Sequence, residues 1–169
     1  MRKITLRPLE PSDVDLLYKW ENDPKIMKVS HNLTPFSKHI LTEYINSAHQ
    51  DIYTVKQLRL IIEIAETKRA IGTIDLFDFD PQHKRAGIGI LIDEDFQNQG
   101  YGFQTLEEIK DYSKNTLGLH QLYCNIAINN KNSISLFEKS GFVQCGLKKD
   151  WLLIDNQWID EIKLQLIFQ

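Results

Sequence analysis

The 169-residue sequence predicts one mixed α/β domain of the α+β kind. Three observations carry that expectation. Stretches of two-residue alternation are interleaved with stretches of helical spacing. One strand-like run, Ile88 to Ile92, passes through a turn containing Gly100 and Gly102 into a helical segment. No repeat, low-complexity tract or linker divides residues 1–169, so a single domain is the economical reading. Hydrophobic residues make up 42% and charged residues 25%, which suits a chain that buries a core.

Ile4 and Leu6 alternate with Thr5 and Arg7 in an opening strand, broken by Pro8 and Pro11. Ser12 is placed to cap a helix carrying Val14, Leu16, Leu17 and Trp20, with Asp13 and Asp15 in its first turn. Asn22-Asp23-Pro24 reads as its end. The stretch from Glu21 to Phe36, rich in His, Asn, Ser and Pro, reads as a long loop of functional interest. A second helix starts at Ser37, with Ile40, Leu41, Tyr44, Ile45 and Ala48 on one face.

Strands follow at 58–65, 71–77 and 85–92. A helix over 103–115 carries Phe103, Leu106, Ile109 and Tyr112. Leu122, Cys124, Ile126 and Ile128 alternate in the next strand. A short helix from Ser133 to Ser140 ends on Gly141. Strand-like pieces at 142–145 and 151–154, a turn at Asp155-Asn156-Gln157 and a last strand at 158–168 complete the chain.

Several function classes recede. No apolar run approaches the roughly 20 residues of a membrane span, and Met1-Arg2-Lys3-Ile4 opens no secretory h-region, so the cytoplasm is expected. Cys124 and Cys145 make no metal-ligand spacing, and no metal is expected. A formal net charge of −3 argues against nucleic acid and leaves room for a cationic small molecule or a basic peptide.

The turn reads Gln97-Asn98-Gln99-Gly100-Tyr101-Gly102. Glycines there let successive backbone N–H groups converge in front of a helix N-terminus, where the dipole favours an anion such as phosphate. Thr105 stands where a Rossmann fingerprint needs its third glycine, and Phe103-Gln104 replaces the Lys-Ser/Thr of a Walker loop.

With a second motif, Asn130-x-x-Ser133-x-x-Leu136-Phe137-Glu138-Lys139-x-Gly141-Phe142, the sequence resembles the GNAT superfamily of N-acetyltransferases. The Leu6-Arg7-Pro8-Leu9-Glu10-Pro11-Ser12-Asp13 opening and Trp20-Glu21-Asn22-Asp23 are similar to the branch acting on ribosomal-protein N-termini and polyamines. The resemblance implies a mostly antiparallel central sheet flanked by helices, with splayed central strands. It implies acetyl-CoA as co-substrate. Backbone groups of Ile90, Leu91 and Ile92 would pair with the pantetheine arm, and Gln97, Asn98, Gln99, Gly100, Tyr101 and Gly102 would hold the diphosphate. Asn130, Ser133 and Phe137 would flank the coenzyme.

The reaction is attack of an amine on a thioester. A lysine-like amine of pKa about 10.4 is neutral at pH 7 only to about 10⁻³–10⁻⁴, a cost of about 4.6 kcal/mol. A base, a water relay or an apolar site must offset much of it. Glu63, Asp75 and Glu21 are candidates for that task. A backbone N–H near Leu91 is the candidate oxyanion donor. Many relatives carry a tyrosine where this chain has Phe137, and that tyrosine protonates the departing thiolate. Tyr101, Tyr123 or water remain as substitutes. Trp151 and Trp158 are candidates for lining the amine site, Glu21 and Trp151 being the residues assigned to substrate. A polyamine or other small primary amine is the expected acceptor. The alternatives are a (ribosomal) protein N-terminus and a catalytically silent acyl-CoA-binding module. A homo-oligomer is compatible with all of these.

Overall fold

The computed structural model describes residues 3–30, 33–48 and 50–169; Met1, Arg2, His31, Asn32 and His49, parts of the leader and loop readings above, lie outside the described residues. The strands are β1 (Ile4–Arg7), β2 (Leu58–Ile64), β3 (Ala70–Asp80), β4 (Arg85–Ile92), β5 (Gln121–Ala127), β6 (Val143–Ile154) and β7 (Gln157–Ile167). They form one sheet in the order β1-β2-β3-β4-β5-β7-β6. Every pairing is antiparallel except β4 with β5. The helices are α1 (Val14–Glu21), α2 (Pro24–Ser30), α3 (Lys38–Ser47), α4 (Ile52–Val55), α5 (Tyr101–Asp111) and α6 (Lys131–Lys139).

Two apolar clusters sandwich the sheet. On one face Leu106 and Ile109 of α5 and Phe137 of α6 pack on Ile62, Ile74, Ile88 and Leu122. Each such fully buried side chain contributes about 1.5–3 kcal/mol. On the other face Leu17 and Trp20 of α1 and Leu41 and Ile45 of α3 pack on Ile61. That second layer reaches β2 and β4 through Ile61 and Leu91 and includes nothing from β5, β7 or β6. Helix α2 reaches the β6-β7 hairpin by a polar contact, Lys28 with Asp155 at 2.9 Å. No helix among them is long and apolar enough to cross a membrane.

Local chemistry explains most boundaries. Ser37 caps α3 by accepting from the Ile40 N–H at 3.2 Å. Asp155 and Asn156, both at positive φ, form the two-residue turn that joins β6 to β7. Gly141 at φ +89 follows α6, and the Phe142 N–H reaches back to the Phe137 carbonyl at 3.1 Å.

Some expectations are corrected. Glu10 and Asp13, not Ser12, form a capping box before α1, over a short 3₁₀ turn at Pro11–Asp13. The stretch expected to be loop contains α2, because Pro24 opens a helix at the position where its missing N–H costs nothing. Helix α4 has no counterpart among the expected elements. Phe103 is 41% exposed; the buried face of α5 is Tyr101, Thr105, Leu106 and Ile109. The last turn of that helix widens into a π turn over Tyr112–Thr116. Strand β6 is continuous, bent by irregular pairing between Lys148 and Leu152.

Glu63 sits on β2, one strand in from the edge of the sheet and opposite Thr5 of β1. Its carboxylate takes hydrogen bonds from Thr5 at 3.1 Å and Arg7 at 2.9 Å, and the Arg7 guanidinium also grips Asp13 at 2.7 and 2.8 Å. Burial pulls both carboxyls upward, but Arg7 and the other donors outweigh it and hold them below the usual range. Folded values below the unfolded ones (about 3.9 and 4.3) mean stability present above about pH 4 and lost on acidification through the folded values. Substituting Arg7 by Met should cost roughly 2–3 kcal/mol at pH 7 by urea denaturation, less than a sealed pair because the Arg7 side chain is 27% exposed. The variant should gain stability between pH 7 and pH 4, where the unmodified protein begins to lose it.

Candidate active site

Strands β4 and β5 pair over only three positions, Arg85 with Gln121, Ala86 with Leu122 and Gly87 with Tyr123. Beyond Gly87 they diverge, leaving a V-shaped gap between Ile88–Ile92 and Cys124–Ala127. On the far side β4 stays paired with β3 to Ile92. Gly72 makes that pairing close: a Cβ there would lie 2.0 Å from the Leu91 carbonyl oxygen, so β4 leans on β3 where any side chain would push it off.

Backbone parity decides which groups face the gap. The Asp93 N–H donates to the Ile71 carbonyl at 2.8 Å. Alternation along an antiparallel ladder then turns the N–H and C=O of Leu91 toward β3 and those of Ile90 and Ile92 toward the gap. The oxyanion donor expected near Leu91 is corrected accordingly: a gap-facing N–H belongs to Ile90 or Ile92. The Ile92 carbonyl is covered by the Gln97 side-chain amide, which donates to it at 2.9 Å.

Above the open end of the V lies the glycine turn. Asn98 at φ +58 and Gly100 at φ +85 bend the chain into α5, and no side chain caps that helix. The N–H groups of its first turn therefore converge where the dipole is positive, which fits a diphosphate. Side chains of this loop do other work. Gln99 donates to the Asp95 carbonyl at 2.9 Å, and Tyr101 is buried against Phe96, ring centroids 6.3 Å apart. A grip on an anion at Gln97–Gly102 therefore falls to main-chain N–H groups and the exposed Asn98 side chain. An open strand edge beside an N–H cradle fits acetyl-CoA, which when bound supplies an activated acetyl thioester.

At the other wall, Asn130 caps α6 by accepting from the Ser133 N–H at 3.2 Å. Phe137 is 2% exposed and meets Phe142 edge-on at 5.0 Å. It offers no proton donor.

The face of the sheet opposite α5 and α6 carries the polar chemistry. Arg59 on β2 bridges Glu21, at the end of α1, at 2.5 Å and Asp75 on β3 at 2.6 Å. Tyr44 lies against the guanidinium at 5.6 Å. Burial works against the Arg59 charge, but the two carboxylates outweigh it and hold the guanidinium above its ordinary value. Burial pushes the Asp75 carboxyl up more than Arg59 pulls it down, and Glu21 adds to the push. Asp75 of β3 pairs with Gly89 of β4, the strand that forms one side of the V. The sequence reading named Asp75 on a strand and Glu21 in the following loop, where the structure has the last residue of α1, and missed Arg59, whose alternation in β2 marked only an outward face.

Next to the closed end of the V, the Phe77 ring lies over Gly87 and meets Tyr123 edge-on at 6.2 Å. The Tyr123 hydroxyl donates to Asp78 at 3.2 Å. Tyr123 and Asp78 border a cavity of about 770 Å³ that Asp80, Arg85, Cys145 and Lys163 also line.

Two candidates expected from the sequence are not brought here. Glu63 lies on β2 against β1, committed to Arg7, and does not border the gap. Trp151 lies on outermost β6, 57% exposed, with the Lys148 ammonium over its ring at 4.6 Å. Among the described residues no group of three or more His, Cys, Asp or Glu is placed to hold a metal ion.

Known proteins share this arrangement. The structure of spermidine N-acetyltransferase from Vibrio cholerae in complex with CoA and spermine superposes with a TM-score of 0.88 at 27% identity, covering 97% of this chain and 95% of that one. In sequence, the spermidine N(1)-acetyltransferase of that organism is 26% identical over 98% of this chain and 93% of its own length. The ribosomal protein uS5-alanine N-acetyltransferase of Escherichia coli is 35% identical over a shorter stretch, 44% of this chain and 39% of its own. The acetyltransferase (GNAT) domain profile matches residues 3–143. With that match and the splayed, coenzyme-ready sheet, the chain belongs to the GNAT acetyltransferase family and is an acetyl-CoA-dependent N-acetyltransferase.

Proposed function

We propose that the acceptor is a polyamine or another small primary amine. The observation that carries this reading is the Glu21–Arg59–Asp75 group: two carboxylates share one guanidinium beside the gap, leaving an excess negative charge. Asp78 adds a carboxylate that accepts its hydrogen bond from a neutral phenol. A face of that sign concentrates an ammonium and, through Asp75, offers a group able to take its proton. Similarity to spermidine acetyltransferases along nearly the whole chain supports the same reading.

In this reading the gap-facing N–H and C=O of Ile90 and the N–H of Ile92 pair with the pantetheine arm, and the N–H groups between Gln97 and Gly102 hold the diphosphate. Asn130, Ser133 and Phe137 form the opposite wall. The protein acts in the cytoplasm, and exposed Leu147, Trp151, Leu153 and Trp158 on the outer hairpin serve contacts between copies.

A second reading, acetylation of an N-terminal alanine, is favoured by the 35% identical stretch. Thiol release from acetyl-CoA with polyamines, aminoglycosides and alanine-initiated basic peptides separates the two. A polyamine should lead any peptide in kcat/KM by at least about tenfold, or about 1.4 kcal/mol. A peptide leading by that margin would transfer the assignment to the second reading.

A further inference from the structure

We propose that Tyr123 supplies the proton to the departing coenzyme sulfur, the task for which residue 137 has no hydroxyl. The inference rests on acetyl transfer to an amine as read above. Of the chain's six tyrosines, five stand elsewhere. Tyr18 is on the outer side of α1 beneath Lys38, and Tyr44 is held against Arg59. Tyr53 packs on Phe79, Tyr101 on Phe96, and Tyr112 follows α5. Tyr123 alone stands on a strand bordering the gap, and it occupies the last paired position, where the V closes. An arm threaded from the glycine turn along β4 brings its reactive end toward that point.

The phenol is held in place from several sides. The Phe77 ring meets it edge-on, and the Lys163 ammonium sits over it at 4.5 Å. Asp78, the acceptor of its hydroxyl, is a non-glycine residue at φ +49 within the irregular pairing between Phe77 and Asp80. That bulge turns the Asp78 carboxylate to the Tyr123 side of the sheet, an unfavourable backbone setting held where the side chain is needed. Other ionisable groups lining the same cavity are Asp80, Arg85, Cys145 and Lys163. Burial first, then Asp78, pushes the phenol above its ordinary value, with Arg85 opposing. Tyr123 is thus a hydrogen donor throughout the neutral range.

The step balances without a further reactant. The amine lone pair forms the C–N bond, and the C–S bond breaks with its electron pair on sulfur. The Tyr123 hydroxyl proton passes to that sulfur. The proton shed by the amine nitrogen restores the phenol through Asp78 or water, giving an amide and a free thiol.

The test uses the full chain with Tyr123→Phe, Phe137→Tyr and the double substitution, assayed with the best amine of the panel. Tyr123→Phe removes one oxygen and should fold. Its kcat should fall about 10²-fold, while the CoA dissociation constant measured by calorimetry changes less than about twofold. Adding Phe137→Tyr should restore at least about tenfold of the loss. Ultraviolet titration of phenolate, unmodified protein minus Tyr123→Phe, should show this phenol ionising at higher pH with CoA bound than without. Retention of kcat within about threefold, a loss mirrored in CoA affinity, or a titration indifferent to CoA would each overturn the role of Tyr123. An unmodified protein that binds CoA yet acetylates no amine would instead overturn the acceptor reading, and this inference with it.

Discussion

Substituting Arg59 by Met lowers the folding stability by about 3–5 kcal/mol at neutral pH, the usual cost of stripping the partner from a buried charge. The Arg59, Glu21 and Asp75 side chains are only 18%, 13% and 18% exposed, so water cannot screen what remains. Two carboxylates then face each other across the space the guanidinium filled. At least one takes up a proton more readily folded than unfolded. Raised folded values mean that stability is present at low pH and is lost as pH rises through them. The variant should therefore be distinctly more stable to urea at pH 5 than at pH 8. A deficit under about 1 kcal/mol, or one independent of pH, would show that the triad is solvated and carries no excess charge toward an acceptor.

Gly100→Val should weaken CoA binding by about 10²-fold, or about 2.7 kcal/mol. Gly100 holds φ +85 at the start of α5, a conformation that a β-branched residue adopts only under strain. Relaxing that strain rotates the neighbouring N–H groups away from their common focus. Because Gly100 is exposed, the fold itself should lose only about 1–2 kcal/mol. Calorimetry with CoA reads the first effect and thermal unfolding without ligand the second. Affinity preserved within about threefold would remove the diphosphate from this turn.

Alternation and helical spacing exposed β5 and α3 because each buries one regular face; β2 and β4, buried on both faces, were legible as apolar β-branched runs. The two motifs around Gly100 and Asn130 were legible because glycine, asparagine and serine sit where backbone geometry leaves few other choices. What escaped depends on neighbours distant in sequence. Alternation placed the Glu63 side chain on a face but could not say that β1 would lie beside it with Arg7. Nothing local marks Arg59 as the partner of Asp75, 16 residues away, or of Glu21, 38 residues away. Helix α2 was hidden by Pro24, which reads as a stop signal after α1 but is the first residue of the next helix. Tyr123 has the spacing of an ordinary outward strand residue, and only the end of the β4–β5 pairing beside it sets it apart.

The three-position pairing of β4 with β5 leaves the sheet as two half-sheets buttoned at one end. If the co-substrate pairs with β4 as proposed, it would replace the missing lateral bonds and act as a removable eighth strand. The empty protein should breathe along this seam, and the filled one should behave as a single stiff plate. Catalytic readiness and mechanical unity then arrive together, with the same molecule that brings the acetyl group.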